Sequence, residues 1–245
     1  MKTRTALLLA ATICLPLGAF AALTPAEYVP MKVIQTDPAI YPSGARIIGL
    51  KEGMAHVTIA IDDHGKLTDY LLTAYSYPAF GDAAVAAIKR WEYEPAYVHG
   101  QARPALVDLD FEFESEGIVV VSLDVNTYVQ QLNYRMHPGS YGYHAATLRE
   151  LDRIPTPTKV VHPAYALESS KTLPDVVTIT VKFFIDEKGH VRMPAVSRET
   201  ASSGNEILAA AAVAAVSQWE FEPPMSRGQP VLVSVRQDFN FRPKS

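Results

Sequence analysis

The sequence predicts an α+β protein of two tandem small domains, each a three-stranded antiparallel sheet with a helix packed on one face. Three observations carry that expectation. The first is an internal repeat. Ile61-Asp62-Asp63-His64-Gly65-Lys66-Leu67 returns 124 residues later as Ile185-Asp186-Glu187-Lys188-Gly189-His190-Val191, and Trp91-Glu92-Tyr93-Glu94-Pro95 returns 128 residues later as Trp219-Glu220-Phe221-Glu222-Pro223. Gly100-Gln101 and Phe111-Glu112-Phe113 recur at the 128-residue offset as Gly228-Gln229 and Phe239-Asn240-Phe241. Matches in one order over two long segments mark a duplicated unit. The second observation is period-two alternation ahead of each hairpin motif, and the third is an alanine-rich helical stripe ahead of each tryptophan.

Each unit opens on a strand. Val57, Ile59 and Ile61 alternate with His56, Thr58 and Ala60, and Val177, Ile179, Val181, Phe183 and Ile185 alternate with Thr178, Thr180, Lys182 and Phe184. Such spacing fits a half-buried strand. Asp-Asp-His-Gly and Asp-Glu-Lys-Gly then make a tight hairpin in which glycine supplies positive φ. Return strands follow at 67–74 and 191–198. The four extra residues of the second unit fall around Ser202-Ser203-Gly204, between strand and helix, where insertions are tolerated. Phe80, Ala84, Ala87, Ile88 and Trp91 share a helical face, repeated by Leu208, Ala212, Ala215, Val216 and Trp219. Pro95 and Pro223 stop regular structure. The last strands point Val107, Leu109, Phe111 and Phe113 inward in the first unit, and Val235, Gln237, Phe239 and Phe241 in the second. The domains are expected at 31–115 and 157–243. A linker, 116–156, carries a short helix near Val125–Arg135 and a Gly/Tyr/His stretch from Pro138 to His144.

The first residues point to export. Lys2 and Arg4 precede an apolar run from Ala6 to Leu17 and an Ala19-Phe20-Ala21 site, the order of a secretory signal peptide over residues 1–21, cleaved near Ala21. The rival reading keeps it as an inner-membrane anchor, although the run is shorter than the roughly 20 residues a spanning helix needs. The single cysteine, Cys14, lies in this segment behind Ile13, which does not suit lipidation. Without the segment the chain has no cysteine, hence no disulfide and no thiolate metal site. It also loses two bases and no acid, so the net charge goes from −4 to −6. An acidic chain is a poor match to nucleic acid or to anionic lipid, and no membrane insertion is expected after cleavage.

Taken in order, these motifs resemble the TonB C-terminal domain family, here as two tandem copies. The first copy supplies Tyr41-Pro42-Ser43-Gly44-Ala45, Glu52-Gly53, Asp62-Asp63-His64-Gly65, Trp91-Glu92-Tyr93-Glu94-Pro95 and Gly100. The second supplies Asp186-Glu187-Lys188-Gly189, Trp219-Glu220-Phe221-Glu222-Pro223 and Gly228, but has His162-Pro163 in place of Tyr-Pro and lacks the Glu-Gly. The resemblance implies a periplasmic, non-enzymatic docking domain that pairs with a peptide of an outer-membrane TonB-dependent receptor by adding a strand to a sheet edge. It places that contact on Tyr41 and Pro42 and on the closing strands, at Val107, Leu109, Phe111 and Phe113 and at Val235, Phe239 and Phe241. An energy-coupling TonB also has a motor-contacting anchor and a long Pro-rich spacer. Neither pattern is found in this sequence, which leaves a general periplasmic scaffold as the alternative.

Other chemistry is poorly supported. Asp62, Asp63 and His64 read as a polar hairpin tip before they read as a metal site. The seven histidines show no H-x-x-x-H or H-E-x-x-H spacing. There is no G-x-S-x-G, P-loop or G-x-G-x-x-G. No catalytic residue, metal ligand or cofactor is therefore expected. An enzyme built on linker histidines His137 and His144 is the remote alternative.

Overall fold

A computed structural model of the chain describes residues 28–98, 100–115, 119–124, 142–164, 176–197 and 205–242. The signal segment, the expected helix near Val125–Arg135 and His137 lie outside the described residues. The fold is mixed α+β and rich in strands. Its first sheet comprises β1 (Glu52–Ile61), β2 (Leu67–Tyr75), β3 (Ala105–Glu114), β4 (Val119–Asp124) and β5 (Tyr143–His144). The strand order is β5-β2-β1-β3-β4, antiparallel throughout. Helix α1 (Pro78–Ile88) covers one face. The second sheet comprises β6 (Val177–Ile185), β7 (Val191–Val196) and β8 (Val233–Phe241) in the order β7-β6-β8, with helix α2 (Glu206–Val216) on one face.

The expectation of three strands in each copy therefore needs correcting for the first, whose sheet has five among the described residues. The two additional strands come from the linker, and β4 draws on the β-branched run Val119-Val120-Val121, which satisfies the outer hydrogen-bonding groups of β3.

Each hairpin turns as its sequence dictates. The Asp62 carboxylate accepts the backbone N–H groups of His64 and Lys66 at 2.9 and 2.8 Å, and Asp186 does the same for Lys188 and His190 at 3.0 and 2.8 Å. Gly65 and Gly189 have φ of 81° and 89°. A Cβ on them would also lie 2.3 Å from the Tyr93 carbonyl oxygen and 1.9 Å from that of Phe221. Both positions thus exclude a side chain twice over, by φ and by close approach.

The helix-facing cores follow the repeat. Ala55, Val57, Ile59 and Ile61 face Phe80, Ala84, Ala87 and Ile88, as Ile179, Val181, Phe183 and Ile185 face Leu208, Ala212 and Val216. Both helices end before the tryptophan, at Ile88 and Val216, so Trp91 and Trp219 leave the helical face and start the next segment. Their indole N–H groups donate to the Asp37 and Val161 carbonyls, each at 2.7 Å, and so pin the chain that enters each copy. Entry segments pair alike: Lys32–Gln35 with Glu92–Glu94, and Pro157–Lys159 with Glu220–Phe221.

The second strand reading also needs correction. Thr180, Lys182 and Phe184, on the alternate face of β6, are buried rather than solvated. The helix-free faces of the two sheets meet there. Leu71 of the first copy and Phe184, Met193 and Leu232 of the second pack with Ala145, joined by Ala60 and Leu106. At this seam Arg192 donates from Nε to Asp69 at 3.0 Å and from its terminal NH2 to the other carboxylate oxygen, a bidentate pair. The Asp69 hydrogen bonds raise the pKa of Arg192 against the opposing effect of burial.

Segment 142–146 joins both sheets. The N–H groups of Gly142 and Ala145 donate to Tyr75 and Thr73 of the first copy. Ala146 donates to the Leu232 carbonyl at 2.7 Å and accepts from Ser234 N–H at 3.2 Å, a parallel bridge to the start of β8. Tyr143 stacks on Tyr75 with ring centroids 5.2 Å apart. Burial, the Glu187 charge and Tyr75 push the Tyr143 hydroxyl up to about 12, so it stays protonated.

Candidate docking edges

The residues expected to meet a partner fall into two sets. In the first copy Val107, Leu109, Phe111 and Phe113 are core side chains, none more than 2% exposed. Their strand, β3, pairs with β1 on one side and with β4 on the other, in register from Asp108 opposite Asp124 to Phe113 opposite Val119. The margin expected to be open on this copy is thus occupied by the chain itself.

Tyr41 is also interior, 6% exposed. Its hydroxyl donates to the Leu50 carbonyl at 2.7 Å, and its ring meets Phe80 edge-on at 5.4 Å. Phe80 in turn lies over Gly53, where a Cβ would be 2.0 Å from the ring. Gly53 sits inside β1 rather than before it, as the seat of this ring. Pro42, half-buried, precedes the one-turn helix Ser43–Ile47. The Tyr-Pro pair closes the end of the first core.

The second copy differs. Val235 and Phe239 are half-buried and Phe241 is 4% exposed, all on the helix side of β8. Phe239 lies 5.7 Å from Trp219 between ring centroids. The alternate residues Arg236, Asp238 and Asn240 are exposed, as is Gln237. Ser234 turns its N–H away from β6 to Ala146, so by alternation the N–H and C=O of 236, 238 and 240 point the same way. Cross-strand side-chain bonds agree: Thr180 donates to Asp238 at 2.7 Å, and Thr178 bonds Asn240 at 2.8 Å. Among the described residues no strand pairs with this side of β8 beyond Ser234, and the Asp238 carbonyl accepts only the Gln237 side chain, at 2.9 Å.

The remaining polar clusters have local explanations. Asp62, Asp63 and His64 hold ligand atoms within 4.8 Å of one another, but Asp62 is engaged in the turn. His56 is bonded to Asp110 across β1 and β3, and His144 lies 3.6 Å from Glu150. A shallow groove beside Tyr70 and Trp91 is capped by Lys89, whose ammonium sits 4.7 Å over the Tyr70 ring. Among the described residues no helix is long and apolar enough to cross a membrane.

Among curated proteins, none matches this chain. The family described as the Gram-negative bacterial TonB protein C-terminal matches residues 37–115 and 176–243, more than half of the chain in two segments that coincide with the two sheet-and-helix copies. The chain belongs to the TonB C-terminal domain family and carries that domain twice.

Proposed function

We propose that this chain is a non-enzymatic periplasmic docking protein that acts in TonB-type transport through outer-membrane receptors, taking a receptor peptide by strand addition. The observation that carries this reading is the exposed margin of β8, whose outward backbone groups lie next to half-buried aromatic side chains. An extended peptide satisfies such groups while its side chains find the neighbouring pockets. Val235, Phe239 and Phe241 back that margin. Val107, Leu109, Phe111 and Phe113 take part only if β4 leaves, and Tyr41 and Pro42 act through the shape of the first core. Titration of the full chain with synthetic receptor plug peptides tests the reading. Saturable binding that perturbs the amide signals of β8 supports it, and no binding at millimolar peptide defeats it.

A scaffold without a transport role is the second reading. The seam around Phe184, Met193 and Leu232 favours it, because the copies already use one face each on one another. It predicts no capture of receptor peptides.

A further inference from the structure

Deepening the docking reading on which it rests, we propose that the second copy alone is the recognition module and that β8 selects its guest by charge. The guest is an extended segment running antiparallel to β8, with an apolar residue opposite Phe239 and an aspartate or glutamate three residues later opposite Arg236.

The first copy supplies the template. β4 lies against β3 as a guest would, and Val121, opposite Phe111, packs on the helix-side core. The repeat aligns Asp108–Phe113 with Arg236–Phe241. Carrying the register across sets the position of Val121 opposite Phe239, that of Ser122 opposite Asp238 and that of Asp124 opposite Arg236. An apolar residue at the first of these positions covers the Phe239 ring and extends the Trp219 cluster.

Charge selection follows from the one charge reversal between the aligned segments, Asp108 to Arg236. In the first copy Asp108 accepts a hydrogen bond from Thr58 at 2.5 Å. In the second, Arg236 is exposed and forms no ion pair among the described residues. An exposed cation at this position favours an acid on the incoming strand and disfavours a base. The linker supports the same site from its other end. Ala146 pairs with the start of β8 at Val233 and Ser234, so among the described residues nothing pairs with the margin from Arg236 onward and a guest does not collide with Ala146.

The probe is a fluorescent peptide bearing the 119–124 sequence Val-Val-Val-Ser-Leu-Asp between short Gly-Ser flanks, with a second version ending in lysine in place of the aspartate. Fluorescence anisotropy with the full chain reads affinity, and amide shifts read location. Saturable binding of the acidic peptide with shifts at Arg236–Asn240 is expected. Arg236→Glu should weaken it about tenfold and improve the lysine peptide by a similar factor, since cross-strand charges contribute modestly and reversal counts twice. Equal affinity of the two peptides, shifts confined to β3, or occupation of the margin by a second copy of the chain each overturn the proposal. Receptor peptides that bind Arg236→Glu and the unaltered chain equally leave the docking function standing and remove this inference. If neither probe nor receptor peptide binds, both fall.

Discussion

The two copies share a hairpin, a helix and a closing strand, yet among the described residues the outer edge of the closing strand is covered in one and uncovered in the other. In the first, β4 lines the outer edge of the closing strand and β5 pairs with the end of β2. Its core is also richer, with Tyr41, Phe80, Phe111, Phe113 and Trp91 in one aromatic cluster. In the second, Leu208 stands where Phe80 does, and β8 keeps an exposed margin. The repeat gives two equivalent closing strands, and the segment between the copies covers the first of them. Equivalent strands of a repeated fold thus come to differ through what the linker lays against them.

The largest test of this contrast compares core deletions. Phe80→Ala should cost about 3–5 kcal/mol and Leu208→Ala about 2–5 kcal/mol. Each copy holds one of the two tryptophans, Trp91 and Trp219, so single-tryptophan variants followed by fluorescence in urea report each copy separately. Phe80→Ala is expected to advance the Trp91 transition beyond that of Trp219. Coincident shifts break the contrast and define one cooperative unit.

A smaller effect tests the seam. Asp69→Asn leaves Arg192 without its bidentate carboxylate. With both side chains about a third exposed, the loss should be about 1 kcal/mol, and it should separate the two tryptophan transitions further. An unchanged separation means that the apolar contacts around Phe184 hold the copies together without the ion pair.

The smallest effect concerns how the linker is tied to the second copy. Burial alone lifts Glu150, but the Thr147 N–H and hydroxyl, His144 and Arg227 together pull its pKa below the ordinary value. The N–H groups of Gly228 and Arg227 hold Asp152 low as well. Groups depressed on folding contribute stability that is fully present above their unfolded value, near 4, and lost as pH falls through the folded one. Amide exchange at Arg227 and Gly228 should accordingly quicken, relative to a distant reference amide, on going from about pH 5 to about pH 3. In Asp152→Asn that pH dependence should flatten, and an unchanged slope assigns it elsewhere.

Much of this was legible in the residues. The repeated D-x-x-G and W-x-[FY]-x-P motifs located both hairpins and both helices, because turn chemistry and helical spacing are local. The added strands were not: β4 folds back on β3 without a D-x-x-G turn motif to mark it, and β5 finds its partner far back in the chain, at Ala74 and Tyr75. The β-branched run at 119–121 was the available signal. Burial of Thr180 and Lys182 was hidden for a similar reason: alternation reports one covered face, and only the meeting of two sheets buries the other. The charge change from Asp108 to Arg236 was visible in the repeat, but its surroundings had to be assembled in space before it pointed to a site.

The stretch from Gly142 to Ala146 has a mechanical consequence. Ala145 is fully buried, and its N–H is bonded to one sheet while the next residue is bonded to the other. A segment shared in this way ties the copies together through backbone hydrogen bonds as well as through the apolar seam. Displacing either sheet at this point therefore strains backbone hydrogen bonds on the other, since successive residues of one short segment serve both.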